Sequence, residues 1–200
     1  MIGESTQLIC DFTGGAIGHR LRAGGGRGQA LPRAAGFSKG RTPEVVDATA
    51  GLGRDAFLLA SLGARVTLIE RAPQVHALLR DGMTRAAKAG GETGAAIARM
   101  TLALGDAKLL LPDMAAEVVL VDPMHPPRDN SALVKKEMRL LRGIVGTDED
   151  ALELMQAALK AASKRVVLKR PLRAAPMAGL PPPSHQISGK TTRYDVFMTG

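Results

Sequence analysis

The chain has 200 residues, of which 45% are hydrophobic, and this is enough for one domain of ordinary size with a closed core. The single cysteine, Cys10, excludes an internal disulfide, and no apolar run approaches the roughly 18 residues that cross a bilayer, so we expect a cytoplasmic protein. A formal charge of +8 favours a polyanionic partner, nucleic acid above all.

Residues 1–43 are predicted to form a basic, glycine-rich arm ahead of a domain that spans residues 44–200. Residues 12–43 contain no acid, and glycines separate many of their basic residues, which include Arg20, Arg22 and Arg27. Exposed glycine amides and arginines suit a phosphate backbone, so we expect these three arginines to bind RNA. A mobile, solvated arm explains the same composition.

Residues 45–57 have the pattern of a buried strand, a glycine turn and the start of a helix. Val45 and Val46 suit a strand that is covered on both faces, while Gly51 and Gly53 allow a sharp turn that approaches a ligand closely. The motif predicts a nucleotide-cofactor site at the carboxyl end of the strand. An ordinary strand-to-helix turn would have the same pattern.

Three later segments resemble strands that end in an acid. Residues 64–70 end in Glu70, which is 17 residues beyond Gly53 and near the offset of about 20 at which an acid binds ribose hydroxyls. A helix follows from Pro73 and is broken by the glycines at 90, 91 and 94. Residues 100–106 form a third strand that ends in Asp106, and residues 117–122 form a fourth that ends in Asp122.

The second half of the chain is predicted to hold two helices, a fifth strand and a closing hairpin. The helices cover residues 133–141 and 148–162, the strand covers 165–171, and the hairpin pairs residues near 186–188 with 193–198. The first helix has a basic exposed face, and residues 154–194 contain eight Lys or Arg and no acid. We therefore expect RNA contacts from both regions, specifically from Lys135, Lys136, Lys169 and Arg170.

The alternation of strands and helices predicts an α/β fold. The sheet is mainly parallel, has helices on both faces and is completed by the antiparallel C-terminal hairpin. In such folds the ligand binds outside the strand ends, at the point where the strand order reverses.

Two cofactor classes fit this site. Gly51, Gly53 and Ala56 satisfy the G-x-G-x-x-A form of a dinucleotide fingerprint, which favours an NAD(P)-dependent oxidoreductase. Acids at Asp47, Asp106 and Asp122 suit S-adenosylmethionine better, because its ribose, adenine and amino acid groups need acceptors and it has no pyrophosphate. No second His or Cys lies at metal-ligand spacing from His125, so we expect no metal.

Several strings of residues resemble one family. They are Asp-Ala-Thr-Ala-Gly-Leu-Gly-Arg-Asp-Ala-Phe at 47–57, Glu-Arg at 70–71, Val-Asp-Pro-Met at 121–124, Ser-Ala-Leu-Val-Lys-Lys-Glu-Met-Arg at 131–139 and Val-Val-Leu-Lys-Arg-Pro at 166–171. Together they are similar to bacterial methyltransferases that modify a guanosine N2 in 16S ribosomal RNA, beside the dimethylated adenosines of the 3'-terminal hairpin.

The resemblance implies a Rossmann-like class I methyltransferase fold with a seven-stranded sheet, S-adenosylmethionine as cofactor, and 16S rRNA or the small ribosomal subunit as partner. It places cofactor contacts on these residues: Arg54, Asp55, Glu70, Arg71, Asp106, Ala107 and Asp122. The catalytic residues expected are Asp122, Pro123 and His125. The Asp122 carboxylate and the Pro123 carbonyl would orient the amine for direct methyl transfer.

The chain departs from the family at two points. His125 occupies a position where the family has an aromatic residue, which affects how the guanine stacks. The N-terminus is also shorter than usual, so part of an RNA-facing subdomain is expected to be absent. A third possibility, a non-catalytic RNA-binding protein on this scaffold, stays open, although pure RNA binding gains nothing from carboxylates beside the groove.

Overall fold

A computed structural model of the chain describes residues 8–14, 26–123 and 150–200. In these ranges the strands form one seven-stranded sheet, and they are β1 (Val45–Asp47), β2 (Val66–Glu70), β3 (Met100–Leu104), β4 (Ala116–Val121), β5 (Ala162–Pro171), β6 (His185–Ser188) and β7 (Thr192–Met198). The helices are α1 (Ala30–Ala34), α2 (Arg54–Ser61), α3 (Pro73–Ala89), α4 (Gly91–Ile97), α5 (Ala107–Leu110) and α6 (Ala151–Ala161), and a 3-10 turn covers Leu111–Asp113.

The strand order is β3-β2-β1-β4-β5-β7-β6. Pairing is parallel from β3 across to β5, whereas β7 is antiparallel to both β5 and β6. The chain builds outward from β1 to β3 and then returns to place β4 on the other side of β1, so the order reverses between β1 and β4. The predicted fold class, a mainly parallel sheet with an antiparallel C-terminal hairpin, is confirmed.

Two apolar clusters cover the two faces of the sheet. Successive strand residues point to opposite faces, so Val45 packs in one cluster and Val46 in the other, and Leu68 and Ile69 divide in the same way. The sequence has only four Phe, and two of them, Phe12 and Phe57, pack together with ring centroids 4.9 Å apart. The rest of the core is aliphatic, as the composition requires.

The described part of residues 1–43 packs against the domain and is not a separate solvated arm. Leu8, Cys10, Phe12, Leu31 and Phe37 are buried in the same cluster as α2 and α3. The division predicted at residue 43 therefore does not coincide with a boundary in the packing of the described residues. Glycines and arginines dominate the composition here and conceal the few apolar side chains that anchor the segment.

Arg27, which is predicted to bind RNA, makes several intramolecular contacts. Its guanidinium donates to the carbonyl oxygens of Ser38 and Arg41 at 3.0 and 2.9 Å and to Thr42 Oγ1 at 2.6 Å, and it lies 5.5 Å from the centre of the Phe37 ring. Its donors are thus used to close the loop that leads into β1.

The observed elements differ from the predicted ones in three places. The helix that begins at Pro73 ends at Ala89, but a second helix, α4, begins at Gly91 and continues through Gly94. Strand β3 ends at Leu104, two residues before Asp106, which instead caps α5 by accepting a hydrogen bond from the Lys108 amide at 2.9 Å. Strand β5 begins three residues before the predicted start, directly after α6.

Across the described ranges, every helix is too short or too polar to span a membrane.

Gly82 and Gly94 provide a matched pair of stability variants. A Cβ at Gly82 would lie 2.6 Å from the Cys10 carbonyl oxygen, whereas a Cβ at Gly94 would meet only the Ala87 oxygen at 3.4 Å and a more distant neighbour. We predict that Gly82→Ala lowers the free energy of unfolding by about 1 kcal/mol or more, because overpacking outweighs the gain in helix propensity. Gly94→Ala should raise it by about 0.5 kcal/mol. Urea unfolding measures both, and equal stabilisation by the two variants would contradict the packing of residues 8–14 on α3.

Candidate functional site

A cavity of about 310 Å³ opens at the carboxyl edge of the parallel strands, next to the β1–β4 reversal. This volume is at the lower end of the range for small-molecule sites. Nine of the ten residues predicted to contact the cofactor line it, namely Asp47, Gly51, Arg54, Asp55, Glu70, Arg71, Asp106, Ala107 and Asp122. The structure thus brings together residues that are up to 75 positions apart in the sequence.

The tenth residue, Gly53, is absent from the cavity lining and faces the core. A Cβ there would lie 2.8 Å from Leu79 Cδ1 and 3.2 Å from Phe12 Cζ, and the residue has a φ of +69°. Gly53 is therefore required for the start of α2 and for core packing. Gly51, with a φ of +52°, does line the cavity, as predicted.

Glu70 connects the end of β2 to the glycine turn. Its buried carboxylate accepts hydrogen bonds from the Gly51 amide at 2.9 Å and from the Ala72 amide at 2.8 Å, one on each oxygen. Burial raises the pKa of Glu70 above its ordinary value, and the two amide donors oppose that shift. A carboxylate has about four acceptor positions, so these bonds leave capacity for ligand hydroxyls.

Asp47 is fully buried at the end of β1. Its carboxylate accepts a hydrogen bond from the Thr49 amide at 3.1 Å. Burial, together with the nearby charges of Asp55 and Asp122, raises the pKa of Asp47 to about 7. The Thr49 hydroxyl accepts a hydrogen bond from the Asp122 amide at 2.7 Å, so it joins the ends of β1 and β4.

Lys169 forms two short ion pairs inside the cavity. Its Nζ lies 2.6 Å from Asp55 Oδ2 and 2.7 Å from Asp122 Oδ2. Burial opposes the charge on Lys169, but the two carboxylates outweigh it and raise the pKa of the ammonium. The prediction that Lys169 contacts RNA did not foresee this role, because it treated the end of β5 as a solvated basic patch. The adjacent Arg170 donates to the Ala175 carbonyl oxygen at 2.6 Å.

A second ionic network lies at the rim of the cavity. Arg71 Nη1 contacts both carboxylate oxygens of Asp150, at 3.0 and 3.1 Å, and Lys108 Nζ lies 2.7 Å from Asp150 Oδ2 and 3.2 Å from Glu153 Oε2. Lys108 Nζ also lies 3.8 Å from Asp106 Oδ2, so the network contains three carboxylates and two cations. The loops after β2 and β3 are thereby tied to the start of α6.

Thr49, Lys108, Asp150 and Leu154 are among the cavity and rim residues that sequence reasoning missed. Only Thr49 had a local signal, since the spacing of Asp47 and Thr49 is that of an Asx turn. The other three are positioned by tertiary pairing. Five residues predicted to act at the site or on RNA lie outside the described residues, namely Arg20, Arg22, His125, Lys135 and Lys136. Pro123 is described, and it is buried directly after Asp122.

The charges that line the cavity indicate the kind of ligand it fits. Six carboxylates and three cations line it in the described part of the chain, and Asp55 lies in the first turn of α2, where a dinucleotide pyrophosphate would bind. Such a surface repels phosphates and favours a cationic ligand with hydroxyl and amine donors. S-adenosylmethionine has these groups, so the residues present fit it and do not fit a dinucleotide.

Comparisons with known proteins agree with this chemistry. Residues 3–199 match the family described as "Putative SAM-dependent methyltransferase". The chain is 68% identical to ribosomal RNA small subunit methyltransferase J of Brucella anthropi, over 98% of this chain and 95% of that protein, and 66% identical to the protein of the same name from Agrobacterium fabrum, over 98% and 94%. It also resembles the crystal structure of a SAM-dependent methyltransferase from Neisseria gonorrhoeae, with a TM-score of 0.77 and 38% identity, covering all of this chain and 77% of that one.

The raised pKa of Asp47 predicts a specific dependence of stability on pH. In the folded chain Asp47 titrates near pH 7, against 3.8 in the unfolded chain, so the folded state holds the proton more tightly and loses stability as the pH rises through this window. Asp47→Asn removes that loss and can still accept the Thr49 hydrogen bond. We predict that the variant gains about 3 kcal/mol relative to the wild type between pH 5 and pH 8.

Urea unfolding at the two pH values measures this gain. The matched control is Asp113→Asn, which changes an exposed carboxylate and should show no comparable pH dependence. A stability difference between Asp47→Asn and the wild type that is the same at both pH values would show that Asp47 is ionised throughout.

Proposed function

The chain belongs to the ribosomal RNA small subunit methyltransferase J family of S-adenosylmethionine-dependent methyltransferases, and we propose that it methylates the exocyclic N2 of a guanosine in 16S rRNA. The observation that carries this proposal is the convergence of Asp47, Glu70, Asp106 and Asp122 on one cavity at the strand ends. Those carboxylates match the donors and the positive charge of the cofactor.

Each wall of the cavity has a part in holding the cofactor. Glu70 binds the ribose hydroxyls, because it ends β2 and its position is fixed by two amide donors. Asp106 and Ala107, after β3, bind the adenine. Asp47, Arg54 and Asp55, which line the cavity, would hold the amino acid group, and Asp122 would interact with the sulfonium. Arg71 shapes the rim through its bond to Asp150.

When bound, S-adenosylmethionine would supply an electrophilic methyl group, and its transfer to the guanine nitrogen would leave S-adenosylhomocysteine with the electron pair of the former S–C bond. The Asp122 carboxylate and the Pro123 carbonyl accept hydrogen bonds from the guanine amine and aim its nitrogen at that methyl group. This is catalysis by positioning and electrostatics. Asp122 need not be a strong base, because the nitrogen becomes acidic once it carries the methyl group and its proton then passes to Asp122 or to water.

The basic charge of the chain supports a large RNA substrate, either free 16S rRNA or the small subunit. Arg20, Arg22, Lys135, Lys136 and Arg170 remain the proposed RNA contacts, and His125 is proposed to stack on the target base. A cytoplasmic location follows from such a substrate. The carboxylates disfavour an NAD(P)-dependent enzyme, and a protein that only bound RNA would have no use for them.

Cofactor affinity should depend on Glu70. Glu70→Gln keeps the size of the side chain but removes its charge and one acceptor group, so the dissociation constant for S-adenosylmethionine should rise about tenfold or more, as expected for a lost hydrogen bond to a charged group. Titration calorimetry measures the change. Glu92→Gln, on the exposed surface of α4, is the control and should bind as the wild type does. Equal affinities for all three proteins would rule out the ribose role.

The catalytic role of Asp122 is tested by Asp122→Asn. The single-turnover rate of methyl transfer to 16S rRNA should fall about a hundredfold or more, the scale of one lost preorganised group, while RNA affinity changes less than twofold. The assay counts N2-methylguanosine by mass spectrometry of digested RNA. Asp113→Asn is the exposed control. Near-normal turnover by Asp122→Asn would refute the mechanism. So would a wild-type protein whose product is a methylated nucleoside other than N2-methylguanosine.

A further inference from the structure

We propose that Lys169 is a positioning residue for methyl transfer, which clamps the Asp122 carboxylate to Asp55 and so fixes the group that orients the target amine. The inference rests on the proposed function, in which Asp122 holds that amine. It assigns to Lys169 a role inside the cavity that differs from the RNA contact expected from the sequence.

The topology explains why these three side chains meet. Strands β4 and β5 are parallel neighbours with Val121 opposite Leu168, so Asp122 and Lys169 are the next positions along the two strands. Asp55 lies in the first turn of α2, across the glycine turn from β1. The Lys169 ammonium bridges the two, at 2.6 Å from Asp55 Oδ2 and 2.7 Å from Asp122 Oδ2. One cation thus connects β5, β4 and α2 at the reversal of the strand order.

A phosphate contact does not fit this geometry. An ammonium group has three donors, and two of the three already point at carboxylates inside the cavity. The Lys169 side chain is only 24% exposed. A phosphate would have to displace a carboxylate from a short, largely buried ion pair, at a high cost in free energy.

The clamp also balances charge around Asp122. Asp47 from β1 has electrostatic interactions with Asp55 and Asp122, and Lys169 is paired with both Asp55 and Asp122. The other charged groups that line the cavity in the described part of the chain are Arg54, Glu70, Arg71, Asp106 and Asp150. Without Lys169, the carboxylates of Asp47, Asp55 and Asp122 would repel one another, and Asp122 would take up a proton more readily.

Two measurable properties follow from this arrangement. A protonated Asp122 is a poorer acceptor for an amine N–H, so loss of Lys169 should move the acid limb of the rate profile to higher pH. The second property is cofactor discrimination. S-adenosylhomocysteine lacks the methyl group and the positive charge of S-adenosylmethionine, so removal of a nearby cation should favour S-adenosylmethionine over S-adenosylhomocysteine.

The experiment compares Lys169→Met and Lys169→Arg with the wild type and with Lys160→Met, a control on the exposed face of α6. For Lys169→Met we expect a single-turnover rate at least tenfold lower at neutral pH and an acid limb at least one pH unit higher. The affinity ratio should shift at least threefold towards S-adenosylmethionine, and RNA affinity should stay within twofold of the wild type. Lys169→Arg should keep the wild-type pH profile, and Lys160→Met should match the wild type throughout.

Three results would overturn the inference: an unchanged pH profile together with an unchanged affinity ratio, a defect confined to RNA affinity, or a Lys169→Arg variant with the profile of Lys169→Met. If Lys169→Met does not fold, Lys169→Gln keeps an N–H donor without the charge and has the same expected results. The affinity ratio needs no RNA, so it tests Lys169 even if the proposed substrate is wrong. A wild-type protein that methylates no 16S rRNA would refute the proposed function separately.

Discussion

The ion cluster of Asp55, Lys169 and Asp122 is the interaction on which the rest of the site depends. Carboxylates at the ends of neighbouring parallel strands are partly desolvated and repel one another, and both effects cost free energy. Lys169 offsets part of that cost with two contacts below 2.8 Å, and backbone amides hold Asp47 and Glu70. The remaining negative charge attracts a cationic cofactor. The negative charge of these carboxylates therefore lowers the stability of the fold and also makes the site selective for a cationic cofactor.

The sheet makes this concentration of acids possible. Parallel strands align their carboxyl ends at one edge, and the cavity lies at that edge, beside the reversal of strand order between β1 and β4. Residues far apart in sequence meet there, for example Thr49 with Asp122 and Asp55 with Lys169. Apolar clusters on both faces hold the strands in register and so fix the positions of the carboxylates at the strand ends.

The sequence predicted the parts of the site that have local signals. Glu70 and Asp122 follow runs of apolar residues, and Gly51 follows a buried strand, so the amino-acid pattern alone was enough to place them at strand ends. Asp150 and Lys108 could not be placed in this way, because the ion pair between them joins residues 42 positions apart and the pair of Asp150 with Arg71 joins residues 79 positions apart. Charge counting also gave no sign of the intramolecular contacts of Arg27 and Lys169, since composition does not reveal whether a cation faces solvent or other groups of the protein. For the same reason the packing of Leu8 and Phe12 was missed within a segment dominated by glycine and arginine.

The carboxylate-lined cavity is expected to select a cationic cofactor over one that carries phosphates. Titration calorimetry of the wild-type protein with S-adenosylmethionine and, separately, with NADH and NADPH tests this selectivity, because all three ligands contain adenosine but only the two dinucleotides carry phosphates. We expect saturable one-to-one binding of S-adenosylmethionine and no detectable binding of either dinucleotide. Saturable binding of NADH or NADPH, with none of S-adenosylmethionine, would contradict it.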